Sequence, residues 1–381
     1  MEHKIPFNKP FLTGKEEHNI GLTLKSGHLS GNGSFTQKCQ NYFESQYRFG
    51  KCLLTSSCTD ALEIAAILLD IQAGDEVIVP SYTFVSTANP FLLRGAKIVF
   101  ADSRADHPGI DELSIEALIT PKTKAIVVVH YAGVACDMDI IMELANRYGL
   151  WVVEDAAQAI DAYYKGKPLG GIGHLGAFSF HETKNIICGE GGLLVINDER
   201  FIKRAEIIWE KGTNRSAFFR GEVDKYGWVD IGSSFLPSEL VAAFLHAQLE
   251  NLSFIQKRRT EIWERYYENL KDFAMEQNIM LPYVPEYATN NSHMFYLVLK
   301  NLQERSALIQ KLKEKDIHAV FHYLSLHNSS FFRGKHDQRE LPNSDRYTDS
   351  LLRLPLFFEL TEQDQNRVTE TIKNSLLIVK N

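Results

Sequence analysis

The sequence predicts an α/β protein with a mostly parallel sheet in a large domain, residues 1–251, and a smaller C-terminal α/β domain, residues 252–381. Three observations predict it. Short continuous apolar runs recur through the first two-thirds of the chain, stretches with helical spacing separate them, and the texture changes after Ser238. Continuous apolar runs suit strands covered on both faces, which is how parallel sheets are built.

In chain order, residues 59–69 have helical apolar spacing and follow Ser and Thr residues able to cap a helix. EVIVP (76–80), AKIVFAD (96–102), AIVVVH (125–130) and LWVVEDA (150–156) read as strands, with a helix over 138–148 between the last two. AFSF (177–180) and GLLVIN (192–197) read as two more strands. Residues 211–231 are rich in Gly, aromatic and charged residues and read as a long functional loop. From Ser238 a pattern free of Gly and Pro predicts one long helix bridging the two domains. Beyond it, MFYLVL (294–299) and HAVFHYL (318–324) read as strands around a helix at 306–315, and a last helix follows Leu360.

Composition narrows the function. With 44% hydrophobic and 23% charged residues the chain is globular rather than disordered or fibrous. A net charge of −7 argues against general nucleic-acid or anionic-membrane binding. Five scattered cysteines without CxxC spacing argue against a disulfide framework or a structural zinc site, and no metal is expected. The N-terminus has no apolar signal core, and no apolar run reaches about 18 residues, so a soluble cytoplasmic protein is expected.

The strongest constellation pairs Asp155, closing VVEDAAQ, with Lys184 in FSFHETKN, just before Gly189, Gly191 and Gly192. A lysine beside a Gly-rich segment after a buried strand can bond covalently to an aldehyde cofactor. An acid at a strand's carboxyl end can keep a pyridine nitrogen protonated. Pyridoxal phosphate chemistry needs that pair. A plainer reading stands beside it, with Asp155 as a helix cap and Lys184 as a solvated loop residue. TSSCTDALEIAA (55–66) opens a helix with small polar residues and so offers free amides to a phosphate, or is simply a cap.

Three patterns are set aside. GIGHLG (171–176) fits a dinucleotide fingerprint but precedes a strand with no helix opening after it. His318 and His322 are four apart, but on a predicted strand that spacing is no metal pair. The sequon Asn214-Arg215-Ser216 carries no weight in a cytoplasmic chain.

Across nearly its whole length the chain resembles the DegT/DnrJ/EryC1/StrS sugar aminotransferases. The segments LSGNGSFT (29–36), SSCTDALEIA (56–65), GDEVIVPSYTFVSTANP (74–90), GAKIVFAD (95–102), HYAG (130–133), VVEDAAQ (152–158), GAFSFHETKN (176–185), GEGG (189–192), FHYLSLH (321–327) and LRLPLF (352–357) appear in the family's order. The resemblance implies a fold-type I pyridoxal phosphate enzyme that works as a homodimer. It implies small-molecule substrates, glutamate and a nucleotide-linked keto sugar. The expected reaction aminates C4 of dTDP-4-keto-6-deoxy-D-glucose, giving the galacto or the gluco amino sugar, for lipopolysaccharide or enterobacterial common antigen synthesis. It also implies roles by position. Lys184 would be the cofactor-linked lysine, Asp155 the partner of the ring nitrogen, Gln158 the contact to the ring hydroxyl and Phe84 the stacking aromatic. Thr59, Asp60 and Ser179 would hold the phosphate. Ser234, in GSSFLPSEL, stands where many members carry an asparagine that reaches the partner subunit's cofactor phosphate. FHYLSLH has Ser325 where relatives commonly have proline. Lys211, Asn214, Arg215 and Arg220 could meet a pyrophosphate, and His322 could line the sugar site. Relatives acting as dehydratases carry histidine in place of the lysine. A non-catalytic sugar-nucleotide-binding regulator is the remaining alternative.

Overall fold

The computed structural model describes residues 3–377. Its centre is a seven-stranded sheet. The strands are β1 (Lys51–Thr55), β2 (Glu76–Pro80), β3 (Lys97–Ala101), β4 (Thr123–Val129), β5 (Trp151–Asp155), β6 (Leu175–Ser179) and β7 (Gly192–Ile196). Their spatial order is β1-β7-β6-β5-β4-β2-β3. β7 runs antiparallel to β1 and β6, and the other pairings are parallel. The strands expected at 76–80, 96–102, 125–130, 150–156, 177–180 and 192–197 all form, within a few residues of the expected ends.

Both faces of the sheet are covered. Along β2, Ile78 enters one core cluster while Val77 and Val79 enter the other, and all three are fully buried. That two-sided burial is why the strands read as unbroken apolar runs. Because β1, β2, β4, β5 and β6 point the same way, the loops leaving them gather along one edge of the sheet. That edge is where ligands bind in open α/β sheets.

Helix α1 spans Glu16–Ser26, α2 Ser34–Gln46 and α3 Cys58–Leu68. The start of α2 is held by the buried Glu239 carboxylate, which accepts from the amides of Gly33, Phe35 and Thr36. Helix α4 (Asn89–Leu93) leads into β3, and α5 (Met138–Tyr148) begins with Asp137 accepting from the Ile140 amide. Helix α6 (Ile202–Trp209) follows β7. The 211–231 segment is mostly irregular but contains one short helix, α7 (Arg215–Phe219).

Two expectations need correction. The single long helix from Ser238 is two helices, α8 (Glu239–Leu249) and α9 (Leu252–Gln277), broken at Glu250–Asn251. Breaking there lets α8 pack on α1 and α2 while α9 serves a second core. The strand expected over 318–324 does not form. That segment is irregular and meets the rest through isolated bridges at Ile317 and Val320. Its tyrosine and histidine groups bond to the large-domain edge instead of to a neighbouring strand. The C-terminal region has its own core around α9, α10 (Leu302–Glu314) and α12 (Glu362–Leu377). It also carries α11 (Pro342–Ser350) and the antiparallel pair β8 (Tyr296–Val298) and β9 (Leu351–Arg353). Among the described residues no helix is long and apolar enough to cross a membrane, and no group of three His, Cys, Asp or Glu side chains could hold a metal ion.

Candidate active site

Asp155 is the last residue of β5, so the strand end fixes its position, and it is buried. Its Oδ2 accepts from Thr87 Oγ1 at 2.7 Å and its Oδ1 from the Ala157 amide at 3.2 Å. Burial raises its pKa, and the Thr87 and Ala157 bonds, then the Lys184 charge, pull back against that. Thr87 has one hydroxyl proton and spends it on Asp155. The 2.8 Å contact from Thr83 to Thr87 therefore has Thr83 as donor. Neither threonine was singled out from the sequence, although both lie in the SYTFVST segment.

Lys184 lies in the turn after β6, with its amide bonded to the His181 carbonyl. Its residue keeps some surface, but the amine end is enclosed, and lost hydration pushes its pKa down to about 8. The Asp155 carboxylate opposes that fall, and the Arg353 charge adds to it. The next residue, Asn185, is clamped. Its Nδ2 donates to Gln256 Oε1 and the Asn291 carbonyl, and its Oδ1 accepts from His293 Nδ1 at 2.8 Å. Burial holds His293 neutral, which makes it a suitable single donor. The lysine thus projects from a backbone that cannot drift.

Gln158 is buried beyond β5. Its Oε1 accepts from the Ala132 amide at 2.7 Å and its Nε2 donates to Tyr323 Oη at 3.2 Å. Tyr323 also lies 5.8 Å, ring to ring, from Phe84, whose side chain is 54% exposed and so has a face free to stack on a ligand. The segment carrying Tyr323 is pinned to the large domain. Tyr82 Oη donates to the His322 carbonyl and accepts from the Tyr323 amide, and Tyr131 Oη donates to the same carbonyl.

The start of α3 offers an anion cradle. Ser57 Oγ accepts from the Asp60 amide, which caps the helix and leaves the first-turn amides of Cys58 and Thr59 without an intrahelical acceptor. Thr59 Oγ1 donates to Ser86 Oγ at 2.8 Å, and Ser179 closes β6 close by in register with Gly192. A Cβ at Gly192 would lie 2.4 Å from Cys58 N, so only glycine lets β7 approach the helix start. Burial raises the Asp60 carboxyl pKa, and its amide is already used by the cap. Ser234 is exposed, but the neighbouring Phe235 carbonyl accepts from Ser56, which places Ser234 beside this cradle.

The 211–231 residues stand apart. Lys211 is exposed, and the Asn214 side chain accepts from the Gly227 amide. The Arg215 guanidinium lies over the Phe219 ring, and Arg220 is paired with Glu206 and Glu222. Among the described residues no hydrogen bond or ion pair joins these four to Lys184, Asp155 or Gln158. His322 lies at the site edge, its ring Nδ1 3.2 Å from Arg353 Nη1. Burial, and then the Arg353 charge, push its pKa down to about 4, so it is a neutral acceptor.

The GIGHLG segment has a structural task. The buried Glu154 carboxylate accepts from the amides of Gly170, Ile172 and Gly173 and from His130 Nε2. His130 Nδ1 accepts from the Cys136 amide, which leaves Nε2 as its donor. This anion ties the loop before β6 to the residue next to Asp155.

These groups fit pyridoxal phosphate: a buried carboxylate for the ring nitrogen, an amine of lowered pKa, an open aromatic face, and free amides with hydroxyls for a phosphate. Comparisons with known proteins agree. The DegT/DnrJ/EryC1/StrS aminotransferase family model matches residues 12–373. The spore coat polysaccharide biosynthesis protein SpsC of Bacillus subtilis is 33% identical over 98% of this chain and 97% of its own. The Streptococcus pneumoniae protein Spr1654 in its PLP form superposes with a TM-score of 0.90 at 26% identity, covering 99% of this chain and 100% of that one. DesV of S. venezuelae, solved with a ketimine intermediate, superposes at 0.89 and 29% identity, covering 98% and 99%. This chain belongs to the DegT/DnrJ/EryC1/StrS aminotransferase family and uses pyridoxal phosphate as its cofactor.

Proposed function

We propose that this aminotransferase moves an amino group from glutamate to C4 of dTDP-4-keto-6-deoxy-D-glucose, giving dTDP-4-amino-4,6-dideoxy-D-galactose. The observation that carries the reaction type is the pairing of buried Asp155 with the enclosed amine of Lys184 at one sheet edge. The sugar assignment is supported by the family's sequence segments, and SpsC is itself a polysaccharide biosynthesis protein.

Bound pyridoxal phosphate supplies an electron-withdrawing ring that acidifies the carbon bearing the transferred nitrogen. The chain's own residues do the rest. Asp155 holds a proton at the ring nitrogen, and Thr87 keeps Asp155 ionised for that purpose. Gln158, held by the Ala132 amide, presents its other end toward Tyr323 and the ring hydroxyl. Lys184 Nζ would take and return the proton at the carbon bearing the transferred nitrogen; such transfer contributes about 10²–10⁴-fold. The first-turn amides of α3, with Thr59 and Ser179, anchor the phosphate. Phe84 would offer its exposed face for stacking on the ring.

The reading includes a large domain over 1–251, a small domain over 252–381, and a homodimer. Phe219, Tyr226, Trp228, Val229 and Ile231 are all exposed on one segment, an apolar surface that a second copy would cover. The test is product identification. Loaded protein, glutamate and dTDP-4-keto-6-deoxyglucose should give an axial C4 amine by NMR. An equatorial amine assigns the gluco epimer instead, and no product rejects this sugar or donor.

A further inference from the structure

Asn291 stands in the turn before β8 and is 2% exposed. Both polar atoms of its side chain are spent on backbone. Its Nδ2 donates to the Gln158 carbonyl and to the Ile160 carbonyl, each at 2.8 Å, and its Oδ1 accepts from the His293 amide at 3.1 Å. Its own carbonyl accepts from Asn185 Nδ2 at 2.9 Å and from Gln256 Nε2 at 3.3 Å. A third segment closes on it. A Cβ at Gly133 would lie 1.9 Å from Asn291 Oδ1, so only glycine lets residues 131–133 pack there. The Ala132 amide of that segment holds Gln158 Oε1.

The turn is itself held from behind by α9. Ser292 has a left-handed backbone, with φ 54°, which few side chains adopt. Arg259 donates from Nε to the Ser292 carbonyl at 3.2 Å and from Nη2 to the His293 carbonyl at 2.7 Å. Backbone of this kind persists only where its surroundings over-determine it, and such places gather around functional sites. Here the surroundings are α9 on one side and, on the other, the segments carrying Gln158 and Lys184. The His293 ring adds a second tie to Asn185. The ladder between β5 and β6 ends at Asp155 and Ala177, before either segment begins.

We propose that Asn291 is a positioning residue that fixes the Lys184 turn relative to the Gln158 loop, so that amine and amide meet one cofactor ring together. This rests on the reading of Lys184 and Gln158 as cofactor contacts. It gives the C-terminal region a task in assembling the cofactor site, carried by one side chain and its carbonyl. An asparagine suits the task because its amide group has two donors for two carbonyls and an acceptor left over.

The experiment compares the cofactor-free protein with its Asn291→Ala variant in two ways. Hydrogen exchange read by mass spectrometry should rise at residues 156–162 and 183–187 together, with β1 and β7 unchanged. Affinity is then measured by absorbance titration for pyridoxal phosphate and for its 3-deoxy analogue, which lacks the ring hydroxyl. The variant leaves two buried carbonyls unpaired, so pyridoxal phosphate should bind roughly tenfold more weakly or worse. The analogue gives Gln158 nothing to hold, so its loss should be roughly threefold or less. A destabilised but otherwise native site would weaken both ligands alike. Exchange that rises only at 290–293, or evenly over the chain, would overturn the assignment. Gln158→Ala is the control. Where it separates the two ligands and Asn291→Ala does not, the assignment also fails. If Gln158→Ala weakens both equally, the Gln158 reading fails, and the exchange pattern alone decides Asn291. Should Asn291→Ala fail to fold, Asn291→Ser, which keeps one short donor, carries the same comparisons.

Discussion

Thr87 Oγ1 donates to Asp155 Oδ2 across 2.7 Å, and Thr83 in turn donates to Thr87. A loop residue after β2 thereby sets the ionisation of a carboxylate at the end of β5. The relay matters because burial drives the Asp155 pKa up, while a ring nitrogen needs Asp155 charged.

Thr87→Val removes the largest opposing influence, so the Asp155 pKa should rise further. A carboxyl with a raised pKa stays protonated to higher pH, so the defect should deepen as pH falls. A hydrogen bond to a charged group is worth about 1.5–3 kcal/mol, which predicts a roughly tenfold or greater loss of cofactor affinity near neutral pH. Affinity titrations between acid and mildly alkaline pH check this. A uniform loss across that range would refute the relay.

Lys184 has a pKa pushed down to about 8, below the 10.5 of a free lysine. The free amine is the nucleophile, so covalent attachment of pyridoxal phosphate should speed up as pH rises and level off above about 8. The linkage has the matching sign: with the folded pKa below the unfolded one, burial of this ammonium disfavours the fold below about 8 and is relieved as pH rises toward 10.5. Lys184→Ala should therefore melt no lower than the native protein at neutral pH, and it should give no cofactor adduct by mass spectrometry after borohydride reduction. An adduct at another lysine would count against Lys184.

Gly192→Ala should injure the phosphate cradle. The added Cβ meets Cys58 N and Ser57 O at 2.4 Å, both of them backbone atoms that cannot rotate away. Overpacking of this kind costs about 1–3 kcal/mol, and here the displaced element is the start of α3. Cofactor affinity should fall along with melting temperature. A stable variant with native affinity would show that the approach of β7 to α3 is not needed.

Glu154→Gln tests the buried anion behind the site. One carboxylate serves three amides and a histidine, and an amide in its place must turn an NH₂ toward some of those donors. Breaking such a buried, charge-assisted network costs about 3–5 kcal/mol. Chemical denaturation should show the loss, and hydrogen exchange should rise first at residues 170–173. Native stability would mean the loop is held by something else.

The sheet was legible because its strands are buried on both faces, so EVIVP and GLLVIN carry their assignment in unbroken apolar residues. The pair proposed to hold the cofactor, Asp155 and Lys184, stood out as well, since each lies at or after such a run. Thr87 and Arg353 were harder to find. A threonine in SYTFVST looks like a turn residue until β2 and β5 are seen with β4 between them in parallel register. Arg353 did leave a signal, a lone charge within LLRLPLF, but an amphipathic edge strand has the same texture.

By itself the sequence determined the α/β class, the positions of six of the seven strands of the central sheet and the family, because these depend on local periodicity and on motifs contiguous in the chain. Tertiary structure alone decided where the α8–α9 boundary falls, that 318–324 is no strand, and that Glu154 occupies the glycine-rich loop. It also decided that Arg353 is buried, with His322 beside its guanidinium. Each of these turns on contacts between residues far apart in the chain. Hydrogen-bond satisfaction and burial of charge are properties of the assembled surroundings, and local spacing does not encode them.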